Sequence, residues 1–434
     1  MSDIKTLLLG QTLSFQADPF LVSIEDATVH NSNGGVLLDG GKIIAVGNGA
    51  KLRAENPKAK VVDYGNALIS AGFIDAHVHY PQTGIIASWG KQLIDWLNTY
   101  TFPEETRFHD EAVAKEVAKT YFDLAISNGT TSMCSFCTIH PESVDAFFAE
   151  ALSRGMRVAG GKTCMDRNAP DGLRDTALSA YDDSKSLLNK WHGQGRLHYA
   201  ITPRFSPTST PEQLSAMGSL WAENPDCLMQ THLSEQLPEI DWVADLFPDA
   251  RDYLDTYEKF GLIGKGAVFG HSIHLKPREK DRILESGSSL VHCPTSNTFI
   301  GSGLFDMAGL KADGHNVGLA TDTGGGSSFS MLRTMAAAYE VGQLRGAALH
   351  PAQLYWLATQ GSAGAMGMTG QIGNLMPRMD ADIVVLDLAS TPVIAQRAKR
   401  AENFWQALFP TIMMGDDRAT KAVWVAGKPA YGSN

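Results

Sequence analysis

The strongest constraint on this chain is a unit that recurs along most of its length: a short apolar strand, then a longer stretch with helical periodicity such as EAVAKEVAKTYFDLAIS. Strands alternating with helices in this way predict parallel β/α structure. The strand candidates are AGFIDAHVH, GTTSMCSFC, RVAGGKTCM, LHYAITPRF, LMQTHLSE, AVFGHSIHL, SLVHCPTSN and NVGLATD. Eight such units predict an α/β fold of the (β/α)8 TIM-like barrel type over residues 68–374, and barrels of this kind keep their active sites at the carboxyl ends of the strands. The flanks read differently. Residues 1–67 carry short strands with glycine turns, including VLLDGGKIIAVG with its D-G-G hairpin, and DADIVVLDL and KAVWVAGKPAY return the pattern within 375–434. The two ends are expected to form one small β-sandwich domain.

Composition narrows the function classes. With 44% hydrophobic and 19% charged residues the chain is a folded globular protein. A formal net charge of −11 without a Lys/Arg cluster argues against nucleic acid and for a small-molecule substrate. No segment has the length of a membrane span or the make-up of a signal peptide, so a cytoplasmic location is expected. Five scattered cysteines, Cys134, Cys137, Cys164, Cys227 and Cys293, do not make a disulfide framework, and the lone C-x-x-C at Cys134 and Cys137 reads as a pair of buried small side chains.

The chemistry gathers at predicted strand ends. His77 and His79 close the first strand, and strand alternation points both the same way. An H-x-H among 13 histidines is weak alone. His232 at the end of strand five, His271 near the end of strand six and Asp322 at the end of strand eight bring more ligand types to the same face. His77, His79, His232 and Asp322 form a candidate zinc shell with one position left for water, and His271 is left outside it.

AGFIDAHVH, HLSE, GHSIHL and LATD together resemble the amidohydrolase superfamily of metal-dependent barrel hydrolases. Binuclear members carry a carboxylated lysine on strand four. LHYAITPRF has none, so the resemblance implies one zinc per subunit, and Lys162, which ends strand three, reads as structural or at most substrate-proximal. Glu235, three residues after His232, takes the place of the proton shuttle in the mononuclear deaminase branch.

HYPQ, WLNTYTFPEE, TPRFSPTS, MDRNAPD and HCPTSN narrow the resemblance to the guanine deaminase family. By that likeness Gln82 and Arg204 hydrogen-bond the polar edge of guanine and Phe205 packs near the ring, with His232, Glu235, His271 and Asp322 closing the metal end of the substrate site. An arginine supplies fixed donors and an amide both donates and accepts, which suits the O6 side of guanine. The implied reaction attacks guanine C2 with water. Asp322 and Glu235 take or relay its proton, Glu235 protonates N3, His271 steadies the tetrahedral centre, and xanthine and ammonia leave. The resemblance also implies a homodimer. The competing readings are a deaminase or chlorohydrolase for a pterin, triazine or adenine derivative, which shares the metal shell, and a metal-free structural homologue.

Overall fold

The computed structural model describes residues 5–90 and 92–432. All eight expected strands are present, and all run parallel: Phe73–His79, Thr130–Phe136, Val158–Gly161, Leu197–Pro203, Leu228–Leu233, Ala267–His271, Ser289–His292 and Asn316–Leu319, each bonded to the next in chain order. The ring closes just past the last strand. Asp322 N donates to His77 O at 3.1 Å, His79 N donates to Thr323 O at 2.6 Å, and Thr321 N donates to the Asp75 carboxylate at 2.8 Å.

Period-two alternation sorts the strand residues. Cys134, Ala159, Ala200, Val268 and Val291 form one core, while their neighbours Met133, Val158, Tyr199, Phe269 and Leu290 join a larger one with the helix residues Phe122, Phe147 and Met217. Small residues on the first set let eight strands close tightly.

The expected small β domain is one continuous seven-stranded sheet rather than two separate ones. Its order is Lys428–Tyr431, Thr420–Val425, Ile383–Leu386, Lys60–Ala71, Thr6–Phe15, Thr28–Asp39, Lys42–Asn48. It folds over itself, so that Leu8, Val36 and Ile69 share a core with Ile383, Val385 and Trp424. The D-G-G hairpin forms as read, with Gly40 at φ 53° and Gly41 at φ 80°, a backbone that glycine adopts at no steric cost. Phe404–Met414 leaves this sheet and packs on the barrel, Phe409 lying edge-on to Tyr339 at 5.0 Å. Only Gly72 separates Lys60–Ala71 from the first barrel strand, and a side chain there would run into Thr131, with a Cβ only 2.2 Å from its hydroxyl.

After the first barrel strand a chain of short helical turns, Leu93–Trp96, Leu97–Thr101, Phe102–Thr106 and Arg107–His109, crosses the carboxyl ends of the strands. Its residues Leu93, Trp96 and Leu97 wall the cavity that opens there.

Candidate active site at the carboxyl ends of the barrel strands

His79, Gln82, Arg204, Phe205, His232, Glu235, His271 and Asp322 line one cavity, closed by Leu93, Trp96, Leu97 and Ile300. His77 lies directly behind, fully buried, with neither ring nitrogen in a hydrogen bond. At one end four side chains converge. His79 Nε2 is 3.1 Å from His232 Nε2, and Asp322 Oδ1 is 3.6 Å from both His77 Nε2 and His79 Nε2. Burial, reinforced by the neighbouring imidazoles, holds His77, His79 and His232 well below the ordinary histidine range, so all three are neutral at pH 7. His232 Nδ1 lies 2.6 Å from the Arg204 carbonyl, which can only accept. The proton is therefore on Nδ1, and the Nε2 lone pair faces the cluster.

His271 stands between two carboxyls, its Nε2 3.5 Å from Glu235 Oε2 and 3.7 Å from Asp322 Oδ2. Its Nδ1 is 2.8 Å from Asn297 Oδ1, which fixes the ring. Both His271, at φ 64°, and Asp322, at φ 51°, adopt the left-handed backbone unusual outside glycine, as functional residues at strand ends often do. Burial raises the Asp322 carboxyl to about 7 against the pull of His271. It raises Glu235 to about 7 as well, against the Ser302 hydroxyl that donates to Oε1 at 2.8 Å. The turn carrying Glu235 is pinned from below, because Glu239 Oε2 accepts from the backbone N–H groups of Glu235 and Gln236.

At the other end Arg204 and Gln82 meet on a buried carboxylate. Arg204 Nη1 and Nη2 donate to Glu105 Oε2 and Oε1 at 2.7 and 3.2 Å, and Gln82 Nε2 donates to Oε1 at 2.8 Å. Phe205 is edge-on to Trp242 and 6.3 Å, centroid to centroid, from His232.

Every site residue read from the sequence thus comes to one cavity or its wall. Lys162 does not line it: the side chain is buried against Asp175. All five cysteines are free and buried. Cys293 Sγ lies within 4.8 Å of ligand atoms of His77, His271 and Asp322, but burial and the nearby Asp322 carboxyl hold its thiol far above the usual range, leaving it protonated and a poor ligand. Sequence reasoning missed Glu105, Ser302, Asn297, Glu239 and Trp96. Glu105 and Trp96 sit on the crossing turns, Asn297 in the HCPTSN stretch, and Ser302 and Glu239 in segments without a motif.

Residues 68–430 match the amidohydrolase family. The chain is 44% identical over 375 residues to the guanine deaminase of Escherichia coli, which covers 86% of this chain and 85% of that protein. It superposes on the solved structure of E. coli guanine deaminase with a TM-score of 0.96 at 41% identity, covering 99% of this chain and 100% of that one. Guanine deaminase from C. acetobutylicum, solved with guanine bound in its active site, matches with a TM-score of 0.89 at 27% identity over 98% of this chain and 100% of that one.

Proposed function

The chain belongs to the amidohydrolase family, and from that premise we infer that it is a guanine deaminase that hydrolyses guanine to xanthine and ammonia. The observation that carries the reading is a single cavity with two chemically distinct ends. A histidine and carboxylate cluster lies beside Glu235 at one, and the paired donors and acceptors of Arg204 and Gln82 lie at the other.

The cluster fits a zinc ion. Donor atoms that share one zinc at about 2.0–2.2 Å stand roughly 3–4 Å apart, the range of the 3.1 Å separation that His79 makes with His232 and the 3.6 Å separations that Asp322 makes with His77 and His79. His77 also has two buried ring nitrogens with no other partner. We assign His77, His79, His232 and Asp322 as ligands of one zinc per chain. Bound there, zinc supplies Lewis acidity that makes water a nucleophile at neutral pH.

The remaining work falls to the protein. Arg204 and Gln82 hold the purine edge, and Phe205 with the apolar crossing turns packs the ring and excludes bulk water. Glu235, with a carboxyl near neutrality, takes a proton from the attacking water and gives it to N3. At the tetrahedral C2 centre Glu235 then moves the hydroxyl proton to the exocyclic amine, the C2–N bond breaks, and ammonia leaves as the C2 carbonyl forms. His271, between Glu235 and Asp322, steadies the new oxygen. The same reading includes a cytoplasmic homodimer acting in guanine breakdown, and sedimentation of the purified chain as a monomer would count against the dimer. No described helix is long and apolar enough to cross a membrane.

The test is ammonia release by zinc-loaded protein from guanine, adenine, cytosine, a pterin and an aminotriazine. Guanine-selective release is expected. Turnover of another ring without guanine would keep the hydrolase family and overturn the substrate.

A further inference from the structure

Glu105 is 1% exposed and does not line the cavity, yet both residues that face the polar edge of the substrate end on it. Both of its oxygens receive guanidinium N–H bonds from Arg204, so both are acceptors. The end of the Gln82 amide that meets Oε1 at 2.8 Å must therefore be the NH2, since a carbonyl there would set two acceptors face to face. That fixes a choice a free glutamine leaves open. The Gln82 carbonyl is turned away from Glu105 and, among the described residues, accepts a long 3.4 Å bond from the Gly324 N–H, which leaves it a lone pair to offer. Arg204 keeps the N–H groups not spent on Glu105 as donors. The wall thus presents a fixed donor beside a fixed acceptor.

We propose that Glu105 is a specificity-determining positioning residue, which locks Gln82 as an acceptor and Arg204 as a donor and so selects 6-oxopurines with an N1–H over 6-aminopurines. The inference rests on the guanine reading above. Guanine shows an acceptor at O6 beside a donor at N1–H, the complement of this wall. The 6-aminopurine 2,6-diaminopurine keeps the C2 amine that leaves but reverses the edge, with a donor at the 6-amine and a lone pair on N1. Without Glu105 the Gln82 amide can turn over and offer either an acceptor or a donor to N1, which removes the part of the discrimination that Gln82 supplies and leaves the part that Arg204 supplies.

The experiment compares kcat/KM for guanine, 2,6-diaminopurine and 1-methylguanine in zinc-loaded wild type, Glu105→Gln and Glu105→Asp. Wild type should prefer guanine to 2,6-diaminopurine by about a thousandfold or more, as expected of a site built to pair a substrate's polar groups, and should disfavour 1-methylguanine, which lacks the N1 proton. Glu105→Gln should shrink the guanine preference by about tenfold or more, with the loss carried mainly by the KM for guanine, and Glu105→Asp should restore part of it. Folded Glu105→Gln with an unchanged preference would overturn the proposal. So would wild type that accepts 1-methylguanine or 2,6-diaminopurine as readily as guanine, a result that needs no variant to fold. Wild type without guanine turnover would instead remove the reaction on which the proposal rests.

Discussion

The carboxyl of Glu235 is set by a contest between burial, which lifts it to about 7, and the Ser302 hydroxyl, which donates to Oε1 and holds it down. The form that accepts a proton from water is the ionised one, so kcat/KM for guanine should rise with pH through about 7. Ser302→Ala removes a bond that favours the ion and raises the carboxyl further. The acid limb of the pH–rate profile should then move to higher pH, and a limb that stays in place or moves toward acid would contradict this account. The residues proposed as ligands and shuttle were legible in the sequence because each lies at or just past the carboxyl end of a strand, where position carries meaning. Ser302 and Asn297 were not, because they reach Glu235 and His271 from elements distant in the chain, and Glu239 was not, because a lone glutamate one turn after Glu235 has no spacing that marks it as a backbone acceptor. Glu105 lay inside a stretch whose likeness to a family was seen, while its role as a shared acceptor for Gln82 and Arg204 appears only when three separate segments meet.

At the scale of elements, the barrel brings strands one and six close enough that a side chain must be missing. A Cβ on Gly270 would lie 2.6 Å from His77 Cε1 and 2.8 Å from its Nδ1, inside a wall with no room to yield. Gly270→Ala is expected to displace the His77 ring, lowering bound zinc by about tenfold or more with a parallel loss of activity. Metal analysis after dialysis against a weak chelator checks this, and full zinc retention would show that the ring tolerates the methyl. The eight strands could be counted from their apolar runs and turn residues, and the terminal segments were recognisable as β structure. Their joining into a single folded sheet was not, since the order depends on the parallel pairing of Thr6–Phe15 with Lys60–Ala71, a long-range choice that local pattern does not encode. The helical turns over the cavity were also unread as a cover, being short pieces without sustained periodicity.

In the whole molecule the small sheet is tied to the amino-terminal end of the barrel, opposite the site. Arg196, just before the fourth strand, donates to Asp380 at 2.8 Å and to Asp382 at 2.7 and 2.9 Å, and Arg157 and Lys42 also pair with Asp380. Although burial pushes it up, Asp380 is held at about 2 by Lys42, Arg196 and Arg157. A carboxyl depressed on folding adds stability that is present above its ordinary value near 3.8 and is lost as pH falls toward about 2. Arg196→Ala takes from the buried Asp382 carboxylate its ion-pair partner, while Asp380 keeps Arg157 and Lys42, and should cost about 3 kcal/mol of stability, seen as an earlier thermal transition with kcat for guanine unchanged. A fall in kcat at equal zinc content would mean that this seam also shapes the site. The central claim, that this cavity deaminates guanine with Glu235 moving the protons, is met most directly by following guanine loss, xanthine formation and ammonia release in wild type and Glu235→Gln matched for zinc content. The account predicts xanthine and ammonia in equal amounts from wild type, and a kcat lower by about a hundred- to ten-thousandfold in the variant. Absence of guanine turnover in the zinc-loaded wild type, or an undiminished rate in Glu235→Gln, would contradict it.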